Sequence, residues 1–303
     1  MENIAVYCIN LEKSTKRLER MQRRFAVAGL TNINIIKAKT PGDIKYYIED
    51  IDAKYIEKYY INTDEFLKDV ACYASHMASL KAFVQSEYES CLICEDDILF
   101  HNDFMDIFND ITKISEGKNL ISLSYMLTGD IDQNYIHRDC KRDFVPGETW
   151  DVKSQKKVYN KMKIPYETKK LKMITGDNIY HGLWNIDSNY VWGAQCYYIR
   201  SKKYAQSILS NFDQPFQFIL RRKVTIKITS ELIIKLSGGL LASIPLVIED
   251  GIDSDRQPLD LPAHQLHFCR WNWKNYNKCD PEKESPLARM LPKDSWPSYP
   301  YKL

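Results

Sequence analysis

The chain has 303 residues, 44% of them hydrophobic and 27% charged, and a formal net charge of +2. This is the composition of an ordinary soluble globular protein, long enough for one large α/β domain or two small ones. So balanced a charge excludes a general electrostatic pull toward nucleic acid, so any anion must be bound by a local cluster.

The first element is an apolar strand, Ile4 to Ile9, with no basic leader before it. No window of about 18 apolar residues follows that could cross a bilayer, so a cytoplasmic location is expected. Asn10 to Ser14 then lead into a helix. Leu18, Met21, Phe25 and Ala28 give it an apolar face, opposite Lys16, Arg17, Arg20, Arg23 and Arg24. Ser14 is the expected N-cap and Gly29 the expected stop. A second strand, Asn32 to Ala38, completes a β-α-β opening, the start of a doubly wound sheet.

A helix is expected from Val70 to Gln85, with Ser75 and His76 beside its apolar stripe. The strand Cys91 to Cys94 follows, then Glu95-Asp96-Asp97, then Ile98-Leu99-Phe100. A helix over Asp103 to Ile114 and a strand over Leu120 to Ser124 continue the alternation. From 125 to 190 the periodicity fails, which reads as an irregular insertion away from the sheet. Its densest charge run, Lys153 to Lys172, reads as a solvated face. Order returns with the strand Gln195 to Ile199, the helix Lys202 to Leu209, a helix over Glu231 to Leu236 and a strand over Ile244 to Ile248. The domain is expected to span 1–260. Residues 261–303 would be a tail packed on it through Leu266, Phe268, Trp271 and Trp273.

Eight cysteines are present, and only Cys91 and Cys94 have a metal-like spacing. On a strand, residues three apart face opposite sides, so these are expected to be reduced core thiols. Most of the 20 tyrosines and six tryptophans are likewise assigned to the core.

Three adjacent acids after a buried strand repel one another and call for a cation. Oxygen ligands suit magnesium or manganese, and open α/β sheets bind ligands beyond the carboxyl ends of their strands. Along an extended chain Glu95 and Asp97 point one way and Asp96 the other. One carboxylate then takes the metal while its neighbour holds a ribose hydroxyl or fixes the loop, which counts Glu95 and Asp96 among the donor-binding residues. A metal placed here would neutralise a departing diphosphate as a Lewis acid. The competing reading of the triplet is a solvated turn.

Four blocks resemble glycosyltransferase family 25, the group of lipooligosaccharide and collagen-modifying galactosyl- and glucosyltransferases. Val6-Tyr7-Cys8-Ile9-Asn10-Leu11, with Ser14, Arg17 and Arg20, is similar to its opening strand, Ile-Asn-Leu and Arg-rich helix. Asp69 to His76 resembles its Gly-Glu-x-Gly-Cys-x-x-Ser-His segment, with Lys68-Asp69 in place of Gly-Glu and Ala71 in place of a glycine. Leu92 to Ile98 resembles its strand ending in Glu-Asp-Asp, and Gly193 to Ile199, with the helix through Ala205, its late strand-helix block. Weaker echoes are Glu231 and the stretch Pro245 to Asp250 with Ser254-Asp255.

The resemblance implies a GT-A type, Rossmann-like nucleotide-sugar-binding α/β fold, a mostly parallel sheet flanked by helices with an irregular C-terminal tail. It implies an inverting, divalent-metal-dependent transfer of galactose or glucose from a UDP-sugar. The acceptor would be a hydroxyl of a glycan, lipooligosaccharide or other glycolipid, or glycoprotein. By matching position Asn10, Leu11 and Arg17 line the nucleotide pocket, Ser75 and His76 lie near the donor, and Asp97 binds Mn²⁺ or Mg²⁺ with help from Glu95.

An inverting transfer also needs a carboxylate base. Glu231 is the first candidate and Asp250 the second, with Glu249 and Asp255 behind them. His264 and His267 in the tail are candidates to complete the metal's coordination, since imidazole suits manganese. Arg17 and Arg20 are expected to face the diphosphate, and Arg23 and Arg24 the solvent.

Two other functions remain open. A two-metal phosphoester hydrolase would need ligands at further strand ends, and the pairs His101/Asp103 and His137/Asp139 lie elsewhere. A non-catalytic glycan-binding protein would have no need to keep three clustered acids. UDP release that depends on an added acceptor sugar would exclude the first. Hydrolysis of a UDP-sugar with manganese, lost in Asp97→Ala, would exclude the second.

Overall fold

Alternation along the first strand sets the layers of the molecule. The computed structural model describes residues 4–44, 53–60, 62–115, 117–124, 126–127, 172–174, 179–181, 183–185, 191–212, 228–236, 239–242, 245–250 and 276. Strand β1 (Ile4–Asn10) sends Val6 and Cys8 into one core and Ala5, Tyr7 and Ile9 into another. A strand apolar on both sides needs cover on both faces of its sheet.

Helix α1 (Thr15–Val27) supplies cover on the first face through Met21 and Phe25. Its C-terminus closes in a Schellman arrangement, with Leu30 N–H on Phe25 O at 2.9 Å and Gly29 N–H on Ala26 O at 3.1 Å. Gly29 takes φ +77°, as a stop there requires. Ser14 occupies the cap position, but its hydroxyl accepts from Arg17 Nη2 at 3.3 Å instead of capping a backbone N–H. Strand β2 (Asn32–Lys37) then returns parallel to β1.

After the short helices α2 (Pro41–Ile44) and α3 (Ala53–Tyr59) comes α4 (Thr63–Gln85). It begins seven residues before the expected Val70, because Asn62 Oδ1 accepts Glu65 N–H at 2.8 Å and starts the helix on polar residues. Phe66, Tyr73, Leu80 and Phe83 carry it onto the second face of the sheet. Burying one such phenylalanine contributes roughly 1.5–3 kcal/mol.

Strand β3 (Ser90–Glu95) lies parallel to β1, and β4 (Ile98–Phe100), α5 (Phe104–Ile114) and β5 (Leu120–Ser122) follow. Within the stretch expected to be irregular, the described residues form β6 (Met126–Leu127), β7 (Lys172–Ile174), β8 (Ile179–His181) and β9 (Leu183–Asn185). The expectation that this stretch leaves the sheet is corrected at β9, which pairs with the main sheet at its edge. Strands of two or three residues are too short to show a period.

The chain continues through β10 (Val191–Trp192), β11 (Cys196–Ile199), α6 (Lys202–Phe212) and α7 (Glu231–Leu236) to β12 (Leu240–Ala242) and β13 (Val247–Glu249). β12 was not expected from the sequence. β13 starts later than the predicted Ile244.

The main sheet has the order β2-β1-β3-β11-β5-β12-β9. Only β11 and β9 run against the other five strands. This is the mostly parallel, helix-flanked, Rossmann-like sheet expected. Cys91 and Cys94 do fall on opposite faces, and burial raises both thiols, so they behave as reduced core residues. Tyr276 is buried, with its hydroxyl donating to Pro245 O at 2.5 Å. The proposed tail anchors Leu266, Phe268, Trp271 and Trp273, and the boundary at 260, lie outside the described residues.

Candidate active site

The carboxyl ends of β1 and β3 lie side by side, with Ile9 in register with Glu95. A cleft of about 300 Å³ opens beyond them. Its floor holds Glu95, Asp96 and Asp97. Leu11, Arg17 and Ser75 line its walls, with Lys13, Lys39 and Lys68 adding positive charge.

Each acid is held differently. Asp96 Oδ2 accepts from Asn10 Nδ2 at 2.5 Å and lies 3.4 Å from Arg17 Nε. Asp97 Oδ2 is 3.6 Å from Arg17 Nη1, while its buried Oδ1 has no hydrogen-bond partner among the described residues. Glu95 Oε1 is 3.3 Å from His76 Nε2. The expected alternation of these side chains is therefore corrected. The strand ends at Glu95 and the chain bends, so Asp96 and Asp97 both turn toward Arg17.

A fourth carboxylate joins them. β13 pairs antiparallel with β4, setting Glu249 opposite Ile98, and Asp250 N–H donates to Asp97 O at 2.6 Å. Glu249 is steadied by Gln195 Nε2 at 3.0 Å, and Gln195 Oε1 accepts from Ser124 Oγ. Burial, first, and then the charges of Glu249, Glu95 and Asp96 push the Asp97 carboxyl well above the usual carboxylate range, against the pull of Arg17. Burial likewise raises Asp96 to about 6, with Arg17 and Asn10 opposing. A guanidinium at 3.4 and 3.6 Å, beyond good hydrogen-bond length, leaves the cluster undercompensated.

A pH dependence follows for the protein freed of divalent ions. A carboxyl raised from 3.8 to about 6 binds more protons folded than unfolded. Stability is therefore expected to fall as pH rises between about 4 and 6, the unfolded and folded values of Asp96. Urea titrations across that range check it, and a flat profile would contradict the burial of Asp96. A divalent ion bound at the cluster should remove the loss by mass action.

His76 is fully buried on α4, with Nδ1 at 3.1 Å from Tyr197 Oη and its ring stacked on Tyr197. Ser75 donates to Ala71 O at 2.8 Å and accepts Lys39 N–H at 2.8 Å, which ties the loop after β2 to the cleft wall. Cys72 also lines the cleft, one helical turn before His76. The ligand atoms of Cys72, His76 and Glu95 lie within 4.8 Å of one another, close enough to hold a metal ion.

Of the two acids considered as bases, Glu231 opens α7 and is buried, with Oε2 lacking a partner among the described residues. It is not among the residues lining the cleft. Asp250 is paired with Arg24, Nη2 to Oδ2 at 2.6 Å, with 3% and 1% of the two side chains exposed. The expectation that Arg24 faces solvent is thereby corrected. It reaches through the core to Asp250 and to Ile98 O, while Arg23 is exposed as expected. His101 is buried against Tyr276 and accepts Asp103 N–H at 3.1 Å, a structural role at the start of α5. His264, His267, Asp255, His137 and Asp139 lie outside the described residues.

Sequence reasoning missed Cys72 as a cleft residue, the lysine rim and the Arg24–Asp250 pair. Cys72 and His76 carried one usable signal, their four-residue spacing on a helix.

Fold and cleft together define an α/β protein with a cleft at the carboxyl ends of its central strands, the place where open sheets of this class bind ligands. The family model described as glycosyltransferase family 25 (LPS biosynthesis protein) matches residues 3–220, and the chain belongs to that family. It is a glycosyltransferase. No curated protein matches the chain. No helix among the described residues is long and apolar enough to cross a membrane.

Proposed function

We propose that this protein is an inverting, divalent-metal-dependent hexosyltransferase of GT-A type, moving galactose or glucose from a UDP-sugar to a hydroxyl of a glycan, glycolipid or glycoprotein. One observation carries the reading most directly: buried Asp97 Oδ1 has no hydrogen-bond partner among the described residues and sits among like charges, beside a basic-rimmed cleft. Hard oxygen donors of this kind fit Mn²⁺ or Mg²⁺.

Asp97 and Glu95 would hold the ion. Bound there, it would neutralise the diphosphate as the sugar bond breaks. Asn10 and Arg17 would hold Asp96 in place for a ribose hydroxyl, and Arg17 would also face the diphosphate. Leu11 would pack against the nucleoside, and Ser75 and His76 would shape the donor end. The lysines of the rim would gather the donor's negative charge.

The test is thermal stabilisation by UDP-galactose, UDP-glucose and their N-acetyl forms, each with and without Mn²⁺. Stabilisation is expected only where metal and uridine nucleotide are both present. Equal stabilisation by nucleotide with chelator would sink the metal requirement.

For the base, Glu231 is preferred. Asp250 is committed to a buried guanidinium, which makes it a poor proton acceptor. Glu231→Gln is expected to lower kcat for transfer by about 100-fold or more while leaving UDP binding unchanged. Unaltered transfer in that variant would return the role to another acid.

A further inference from the structure

Cys72, His76 and Glu95 form a cluster of a different chemical kind from the acids beside it. Cys72 and His76 lie four residues apart on α4 and share a helix face, while Glu95 ends β3 opposite them. Their ligand atoms lie within 4.8 Å of one another, with His76 Nε2 and Glu95 Oε1 at 3.3 Å. Metal–ligand lengths of about 2.0–2.3 Å at a tetrahedral ion put neighbouring ligands roughly 3.3–3.6 Å apart, so this edge is already near the right length.

The supporting groups also fit. A metal-bound imidazole needs a partner on its other nitrogen, and His76 Nδ1 has Tyr197 Oη at 3.1 Å. Burial raises the Tyr197 phenol, so the hydroxyl keeps its proton and can either donate to Nδ1 or accept from it. Cys72 is half-buried and lines the cleft, which gives an ion a way in and leaves a fourth position open to it. The other described cysteines are buried.

We propose that Cys72, His76 and Glu95 bind a soft divalent cation of the zinc class, beside the oxygen-only position at Asp97. A thiolate, an imidazole and one carboxylate select such an ion over magnesium or manganese. Loading replaces the hydrogen bond between Nε2 and Glu95 with two bonds to the ion. The Cys72 thiol proton leaves to solvent, and the imidazole proton moves to Nδ1 to be donated to Tyr197 Oη. The two sites share Glu95 and so compete for it. The proposal goes beyond the transferase reading and does not depend on it.

Cobalt(II) is the experimental stand-in, added to the full chain after chelator treatment under reducing conditions. One equivalent is expected to give a thiolate-to-cobalt charge-transfer band and intense four-coordinate visible bands, both lost in Cys72→Ser. In the unmodified protein, equimolar Zn²⁺ is expected to slow alkylation of Cys72 by about tenfold or more, read by peptide mass mapping, while Mg²⁺ leaves it unchanged; this keeps the proposal testable if the variant misfolds. A weak six-coordinate spectrum without thiolate absorption, a band that survives Cys72→Ser, or alkylation indifferent to zinc would each overturn it. No sugar nucleotide is present, so failure here leaves the donor reading standing, and failure of that reading leaves this site untouched.

Discussion

Asp97→Asn is expected to lower metal-supported sugar transfer by at least about 100-fold, since a Lewis acid at a leaving diphosphate supplies several kcal/mol. The same change should make the metal-free protein more stable. Asp97 is buried, one of its oxygens has no partner among the described residues, and its neighbours Glu249, Glu95 and Asp96 all oppose its charge. Asparagine keeps the shape and removes that opposition. Activity down and Tm up together mark a residue kept for function at a cost in stability. The measurement is a pair: initial rates with Mn²⁺, and melting with chelator. A variant that loses activity and stability in parallel would show Asp97 to be structural.

Arg24→Met is expected to cost about 3–5 kcal/mol, the penalty of removing one member of a buried ion pair. Asp250 would then hold a carboxylate with 1% of its side chain exposed and its guanidinium partner gone. For a chain of this size, melting should fall by on the order of 10 °C. The double change Arg24→Met with Asp250→Leu should recover most of the loss, because an apolar replacement of both partners removes the buried charge. The same pair steadies the site, since Asp250 N–H holds Asp97 O at 2.6 Å. Arg24→Met should therefore also weaken Mn²⁺ binding, and the double variant should restore it less fully than it restores stability. Equal melting of Arg24→Met and the unmodified protein would show the pair to be solvated.

Much of the site was legible because its chemistry is local. Glu95-Asp96-Asp97 follows an unbroken apolar strand, and a charge run directly after such a strand has to be used or compensated. Asn10 ends β1 and Arg17 lies in the first turn of α1, and both reach that run at the end of the adjacent parallel strand. Cys72 was not weighed because its neighbours Cys91 and Cys94 had the more familiar spacing, and those two proved to be core. Arg24 was misplaced because a helix-surface arginine looks alike in sequence whether it meets water or a buried acid.

The residues by themselves determined the β-α-β opening, the glycine stop of α1, the span of α7 and the acidic strand end, since period and glycine act over a few residues. Only the tertiary structure decided which distant groups meet. Arg24 and Asp250 are 226 positions apart, and His76 and Tyr197 are 121 apart. Those meetings depend on strand order, on β11 running against β3 and on β13 folding back along β4, and the spacing of residues along a chain does not encode which strands become neighbours.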